Sequence, residues 1–325
     1  MNCKLERIVR RLRVFPRRTR ATPCDEGVRV GEPGLFDRDV DRVEVSVTFT
    51  WDLPEAERIA RLWAERCPTE VGGPAVGTVG GEFTPGEFVR KGYVITSRGC
   101  PNKCWFCSVW RRDGTGTELP IHDGWNVLDD NLLACSERHV RSVFAMLARQ
   151  EHRPVFTGGL EAKRLERWHV DLLAEVKTER MYFAYDTPDD YEPLVSAGRL
   201  LREADIPVST SCAYVLVGWP RDTIADATRR LRQTWDAGFT PYAMPFRHPD
   251  GRPLSDEWQR FKNVVAFRPC LQAALRDGTP IDAAFRKKPH DHSSPLFDLP
   301  NAGGQIPPAS GGNLDRLVGN SGGGK

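Results

Sequence analysis

Several absences narrow what this 325-residue chain can be. No window approaches the roughly 18 uninterrupted apolar residues that a spanning helix needs, and no apolar centre follows the first residues. No membrane span or secretory leader is therefore expected, and the sequence reads as cytoplasmic. Charge of one sign is nearly lacking: 46 Lys and Arg against 44 Asp and Glu leave a net +2, too little for a dedicated polyanion coat. No second CxxC or CxxH pair exists to complete a four-ligand zinc site, no D-x-H-x-x-G sequence occurs, and the seven histidines show no ligand spacing. Nine cysteines without a leader are expected to be thiols, not a disulfide framework.

What is present describes an ordinary globular protein, with 40% hydrophobic and 28% charged residues. The length suits about two domains or one large α/β barrel. Basic charge is concentrated at the start, where Lys4, Arg7, Arg10, Arg11, Arg13, Arg17, Arg18 and Arg20 face a single acid, Glu6. Residues 1–42 are accordingly expected to be a basic N-terminal arm, either a solvated face or a weak nucleic-acid contact. Over 43–90 the pattern predicts a small β-α-β extension: Val43 to Phe49 alternates as a strand, Pro54 to Glu65 reads as a helix, and Thr69 to Val71 runs into Gly72-Gly73-Pro74.

From Tyr93 the chain settles into repetition. Apolar strand-like runs begin near Tyr93, Trp125, Val155, Met181, Cys212 and Pro241, in steps of 26 to 32 residues, each the length of a strand plus a crossover helix. Between them, Val140, Val143, Phe144 and Leu147 share one helical face, as do Ile224, Ala227, Leu231 and Trp235. Ser136 suits an N-cap, and Gly238 a helix stop. Six such units predict an α/β fold over 91–250, a partial (β/α)6 TIM-type barrel whose site lies at the C-terminal strand ends. Polar residues fall there: Arg98-Gly99-Cys100, Asp129-Asp130-Asn131, Thr157-Gly158-Gly159, Tyr185-Asp186 and Arg247. A helical segment is expected over 251–286, and disorder over 287–325.

The chemistry is concentrated in one stretch, Arg98-Gly-Cys100-Pro-Asn-Lys-Cys104-Trp-Phe-Cys107, which places three thiols on a loop directly after the first strand of the repeat. Three thiolates can hold three irons of a cubane and leave the fourth open to a non-protein ligand. This C-x3-C-x-aromatic-C motif, with its βα series, resembles the radical S-adenosylmethionine (SAM) enzymes. It is similar to their cobalamin-binding-type members but lacks a complete cobalamin domain.

The resemblance implies a [4Fe-4S] cluster on Cys100, Cys104 and Cys107, with SAM on the open iron. It also implies reductive cleavage of SAM to a 5′-deoxyadenosyl radical that abstracts hydrogen from an unidentified substrate. The Phe106 backbone would contact adenine, and the Gly218 stretch would support it. Asp129 and Asp130, in place of the usual Gly-Gly-Glu, would meet the SAM ammonium, Asp186 would lie near the ribose, and Thr157 and Glu161 would face the barrel mouth. An electron donor such as flavodoxin or ferredoxin is implied. Cobalamin is not expected, because no lower-face His motif exists.

Plainer readings stand beside these. Asp129 and Asp130 could cap the following helix, and Thr157-Gly158-Gly159 could be only a tight turn. Cys135 precedes a helix N-terminus that would favour a thiolate, suggesting a hydrogen donor, yet a lone Cys also suits a small buried position. The rival function is a non-catalytic zinc or iron-sulfur module whose basic arm docks on nucleic acid.

Overall fold

A computed structural model describes residues 10–37, 39–77, 83–248, 251–266 and 268–281. The disorder expected over 287–325 lies outside the described residues.

Near the N-terminus, four short strands form a wholly parallel sheet: β1 (Arg11–Phe15), β2 (Val28–Val30), β3 (Arg42–Ser46) and β4 (Thr69–Gly72), in the order β2-β1-β3-β4. Helix α1 (Leu53–Ala64) joins β3 to β4 and buries Ala56, Ile59 and Trp63 against Leu12, Val14, Val43 and Val45. The turn after β4 needs its glycine, since a Cβ on Gly73 would sit 2.6 Å from the Val47 carbonyl oxygen.

This sheet corrects the expectation of a basic arm over 1–42. Residues 11–15 form an interior strand with a neighbour on each side, and Leu12, Val14 and Phe15 are buried. Alternation over residues 11–14 is the reason: Arg11 and Arg13 point away from the side that buries Leu12 and Val14, and their guanidinium groups find acids. Arg11 pairs with Glu44 and Glu87, Arg13 with Asp25, and Arg17 with Asp52. Those acids come from residues 25 to 87, so Arg11, Arg13 and Arg17 are paired by contacts distant along the chain. The extension expected at 43–90 therefore begins upstream, within the former arm.

The repeat from Tyr93 appears as expected. Its elements run β5 (Tyr93–Val94), β6 (Ser97–Arg98), α2 (Val109–Arg112), β7 (Thr117–Glu118), β8 (Asn126–Val127), α3 (Glu137–Leu147), β9 (Val155–Phe156), α4 (Arg167–Glu175), β10 (Arg180–Ala184), α5 (Tyr191–Glu203), β11 (Ser211–Val217), α6 (Ile224–Asp236), β12 (Thr240–Pro245), α7 (Asp256–Ala266) and α8 (Arg268–Arg276). Strands β5, β8, β9, β10, β11 and β12 form one parallel sheet in sequential order. The fold is thus α/β with parallel sheets.

Val94, Val127, Phe156, Met181, Phe183, Ala213, Val215 and Val217 join one core with the apolar faces of α3, α4, α5 and α6. Alternate residues carry a tyrosine ladder across the last three strands. Tyr182 stacks on Tyr214 at 4.8 Å, and Tyr214 meets Tyr242 at 5.5 Å. Ser136 caps α3 by accepting from the His139 backbone N–H, and Gly238 closes the turn after α6 at φ +95°.

If β1 is an interior strand, Leu12→Ala, at 1% exposure, should cost about 2–5 kcal/mol in chemical denaturation. A cost near zero would restore the solvated arm.

Candidate functional site

The cysteine loop is held at its base. Antiparallel pairing of β6 with β7 matches Ser97 to Glu118 and Arg98 to Thr117, so residues 99–116 are pinched off as one excursion from the C-terminal end of β5. Gly99 makes the entry possible: at φ +87° its missing Cβ would lie 2.8–2.9 Å from backbone atoms of residues 113, 114 and 116. The Cys100 N–H then donates to the Gly114 carbonyl at 3.0 Å, and a single turn joins the Cys107 N–H to the Cys104 carbonyl at 3.1 Å. Trp110 Nε1 donates to that same carbonyl. Phe106 lies half-buried, edge-on to Trp105 at 5.3 Å.

All three thiols are half-buried and free of disulfides. Burial pushes the Cys104 thiol up to about 11, reinforced by the charges of Cys107, Cys100, Asp186 and Asp190. Cys107 is raised chiefly by burial as well. A bound cation would offset that rise by favouring the thiolate forms. No three His, Cys, Asp or Glu side chains among the described residues meet at a single-ion site. A cubane takes each thiolate on a different iron, so its ligands need not meet at one point.

Three successive residues after β8 turn to three different partners. Asp129, only 1% exposed, points inward. Its Oδ1 accepts from the Thr96 backbone N–H at 2.6 Å, and its Oδ2 accepts from the hydroxyls of Thr96 at 2.5 Å and Ser97 at 2.7 Å. Burial raises this carboxyl while those bonds oppose the rise. Asp129 is thereby corrected as a SAM contact: both oxygens are committed inward. Asp130 takes the Gly99 N–H at 2.9 Å and so ties the β8 end to the cysteine loop.

Asn131 is the residue that sequence reasoning passed over in favour of its charged neighbours. It is 5% exposed, its Nδ2 donates to Glu161 Oε2 at 2.7 Å and lies 3.4 Å from Cys100 Sγ, and its Oδ1 is buried with no hydrogen-bond partner. Glu161 also receives Arg164 Nε at 2.6 Å. A short polar chain therefore runs from Arg164 to Cys100. The Thr157 turn serves packing: a Cβ on Gly158 would fall 2.1 Å from the Asp129 carbonyl oxygen, with Thr157 half-buried just before it.

The remaining expected residues are more dispersed. Asp186, after β10, accepts from the Leu216 N–H at 3.2 Å; burial and the charge of Asp190 push its carboxyl up to about 7. Its charge adds to the rise of the Cys104 thiol. Gly218, at φ +78°, donates its N–H to Asp222, which pairs with buried Arg230 at 2.8 Å; a Cβ there would lie 3.2 Å from Trp258 of α7. Cys135 is half-buried, and burial pushes its thiol up, with the charges of Asp129 and Glu118 adding to the rise against a Ser97 hydrogen bond. The thiolate expected from the helix N-terminus is corrected, because desolvation outweighs it.

The class so defined is an α/β chain whose cysteine-triplet loop rises at the C-terminal ends of a parallel sheet. No protein-family model matches it. The chain is 25% identical over 172 residues to the ribosomal protein uS12 methylthiotransferase RimO of Xanthomonas oryzae pv. oryzae strain PXO99A, a stretch covering 48% of this chain and 35% of that protein. The same protein of strain MAFF 311018 matches at the same identity, with 34% of its length covered. The chain thus spans about a third of the length of the curated relatives it matches.

Two outcomes follow from the geometry. Asp129→Asn should cost about 1–3 kcal/mol in urea denaturation, since a buried donor then faces donors, whereas Asp130→Asn should stay within about 0.5 kcal/mol because its oxygen still accepts from Gly99. Equal costs would contradict the division of roles. For Asp186, a folded pKa of about 7 lies above the unfolded value of ~3.9, so the stability tied to its neutral form is complete below about pH 4 and lost as pH rises to about 7. Asp186→Asn should therefore stabilise the iron-free chain at pH 8 and leave it unchanged at pH 4. A pH-independent effect would contradict the shift.

Proposed function

We propose that the chain is a radical SAM enzyme in which Cys100, Cys104 and Cys107 hold a [4Fe-4S] cluster above a partial (β/α)6 barrel spanning 91–250. The observation that carries this is the placement of a three-thiol loop at the end of β5 beside Asn131, whose Oδ1 is a buried acceptor awaiting a donor. Distant similarity to the RimO proteins supports the reading at the level of the superfamily. The rival docking module loses its free arm, since residues 11–15 are an interior strand.

When bound, the cluster and SAM supply reductive cleavage to a 5′-deoxyadenosyl radical for hydrogen abstraction from a substrate still to be identified. The chain's own residues then bind and orient. Gly99 and Asp130 fix the loop that carries the thiols. Asn131 Oδ1 accepts from the SAM ammonium, and Glu161, 2.7 Å from Asn131 Nδ2, holds the amide in that orientation while adding negative charge.

The Phe106 backbone and the Gly218 turn serve adenine, with Thr157 and Asp186 along the same rim. Cys135, kept protonated by its surroundings, retains the S–H bond that a hydrogen donor needs. Electrons come from a flavodoxin or ferredoxin type of donor. No cobalamin is proposed: the Gly72-Gly73-Pro74 turn is accounted for by its packing on Val47.

Anaerobic reconstitution should give about four irons and four sulfides per chain, lost on replacing Cys100, Cys104 or Cys107 by Ala. The reduced protein should release 5′-deoxyadenosine and methionine from SAM, and Asn131→Ala should raise the SAM concentration needed by roughly tenfold with iron retained. An equal need for Cys135 or Cys212 would sink the ligand assignment. Formation of S-adenosylhomocysteine alone would sink the reaction.

A further inference from the structure

The loop that bears the thiols carries a charge excess of its own. Over residues 98–116 the cations Arg98, Lys103, Arg111 and Arg112 face a single acid, Asp113, while the whole chain of 325 residues nets only +2. Arg112 takes that acid, its Nε donating to Asp113 at 2.8 Å. No carboxylate among the described residues pairs with Arg98, Lys103 or Arg111. The acids whose charge reaches Cys104 are Asp186 and Asp190, which lie outside the loop and accept hydrogen bonds from the N–H groups of Leu216, Asp186 and Thr187.

Two of the unpaired cations gather at one turn. The bond from the Cys107 N–H to the Cys104 carbonyl closes a turn with Trp105 and Phe106 at its tip. Lys103 stands just before it and is exposed. The Arg111 guanidinium returns to it, 3.5 Å from the Cys107 carbonyl oxygen and 4.3 Å from the Trp110 ring centre. Trp105 meets Phe106 at 5.3 Å and Phe246, just past β12, at 5.5 Å, yet stays 51% exposed. Stacking on Trp110 holds Arg111 in place but supplies no anion. Packing within the chain therefore explains neither the exposed indole nor the two cations beside it.

A partner that satisfies this turn needs carboxylates set around an apolar contact point. Tryptophan and arginine are the side chains that anchor small protein interfaces. A nucleic-acid strand needs instead a track of cations along its backbone, and these cations are confined to one turn. Position selects the kind of acidic protein. Trp105 is joined by one peptide bond to Cys104 and separated by one residue from Cys107, so a protein seated on the indole lies next to the segment that carries the thiols.

We propose that this turn is the docking surface for a small acidic electron-carrier protein, with Trp105 at its centre and Lys103 and Arg111 meeting carboxylates of the carrier. The inference rests on the reading of the triplet as cluster ligands and adds the place where the electron enters. Each encounter moves one electron from the carrier, which is oxidised, to the cluster, which is reduced, and no bond forms or breaks. A brief, charge-steered contact suits that task, because electron-transfer encounters use small interfaces and rim charges act mainly on the association rate.

The test uses the full, anaerobically reconstituted chain, a reduced flavodoxin as carrier, and dithionite as a reductant too small to need docking. Bleaching of the cluster's visible absorbance gives the reduction rate, and anisotropy of labelled flavodoxin gives binding. Affinity and the flavodoxin-driven rate should both fall as salt rises. Lys103→Gln and Arg111→Gln should each lower that rate about threefold to tenfold, and Trp105→Ala about tenfold, with Trp105→Phe restoring most of it. Iron content and the dithionite rate should stay unchanged in all four variants.

Retained iron without flavodoxin binding at low salt, substitutions that slow dithionite and flavodoxin alike, or a short RNA strand that displaces flavodoxin from the turn would overturn the proposal. A chain that takes up no iron would overturn the ligand assignment, and this surface with it.

Discussion

The buried carboxylate of Asp129 is the constraint on which the site rests. An ionised carboxylate removed from water costs several kcal/mol unless hydrogen bonds replace its hydration. Here three donors do so, and all come from Thr96 and Ser97, where the chain leaves β5 for the cysteine loop. The dependence is mutual. Thr96 and Ser97 are themselves buried, and without the carboxylate the Thr96 N–H would be stranded and both hydroxyls would lose a partner. The ends of β5 and β8 are thereby locked together by a polar knot where the two-residue strands offer little pairing of their own.

What is built on the knot follows from alternation along extended backbone. Asn131 is extended, at φ −162°, and consecutive side chains from 129 to 131 leave the chain in different directions: to the interior, to Gly99, and to Cys100 with Glu161. One tripeptide therefore anchors the loop, orients its entry and presents an acceptor beside its first thiol. Gly158 completes the arrangement, because only a residue without Cβ lets the β9 end press on the Asp129 carbonyl. The proposed SAM site thus draws on the ends of three neighbouring strands.

Much of this was legible in the sequence. Six apolar runs at near-equal spacing marked the six parallel strands, and the thiol triplet fell on the first strand-to-helix loop as the spacing required. The division of labour within Asp129-Asp130-Asn131 was not legible, because periodicity says that residues alternate but not which one faces the core when all three are polar. Charge drew attention to the two aspartates, while an amide with one donor engaged and its acceptor free carries no compositional signal. The protonation of Cys135 was not legible for a different reason: proximity to a helix N-terminus is visible in sequence, but the burial that raises the thiol belongs to the fold. The hairpin of β6 and β7 was missed because its strands are two residues long.

The basic start of the chain shows how composition and structure can point in opposite directions. A parallel sheet needs cover on both faces, and α1 packs on only one of them. On the other side of β1, Arg11 reaches Glu44, Glu87 and the ring of Phe88, while Arg13 reaches Asp25 and the carbonyls of Gly86 and Glu87. Residues 86–88 precede β5, so these guanidinium groups fasten the segment between the two sheets onto the first of them. Lysine could not make the same contacts, since a single ammonium lacks the planar fork that engages a carboxylate, a carbonyl and a ring face together. Arginine excess here is a means of covering a sheet with a polar layer.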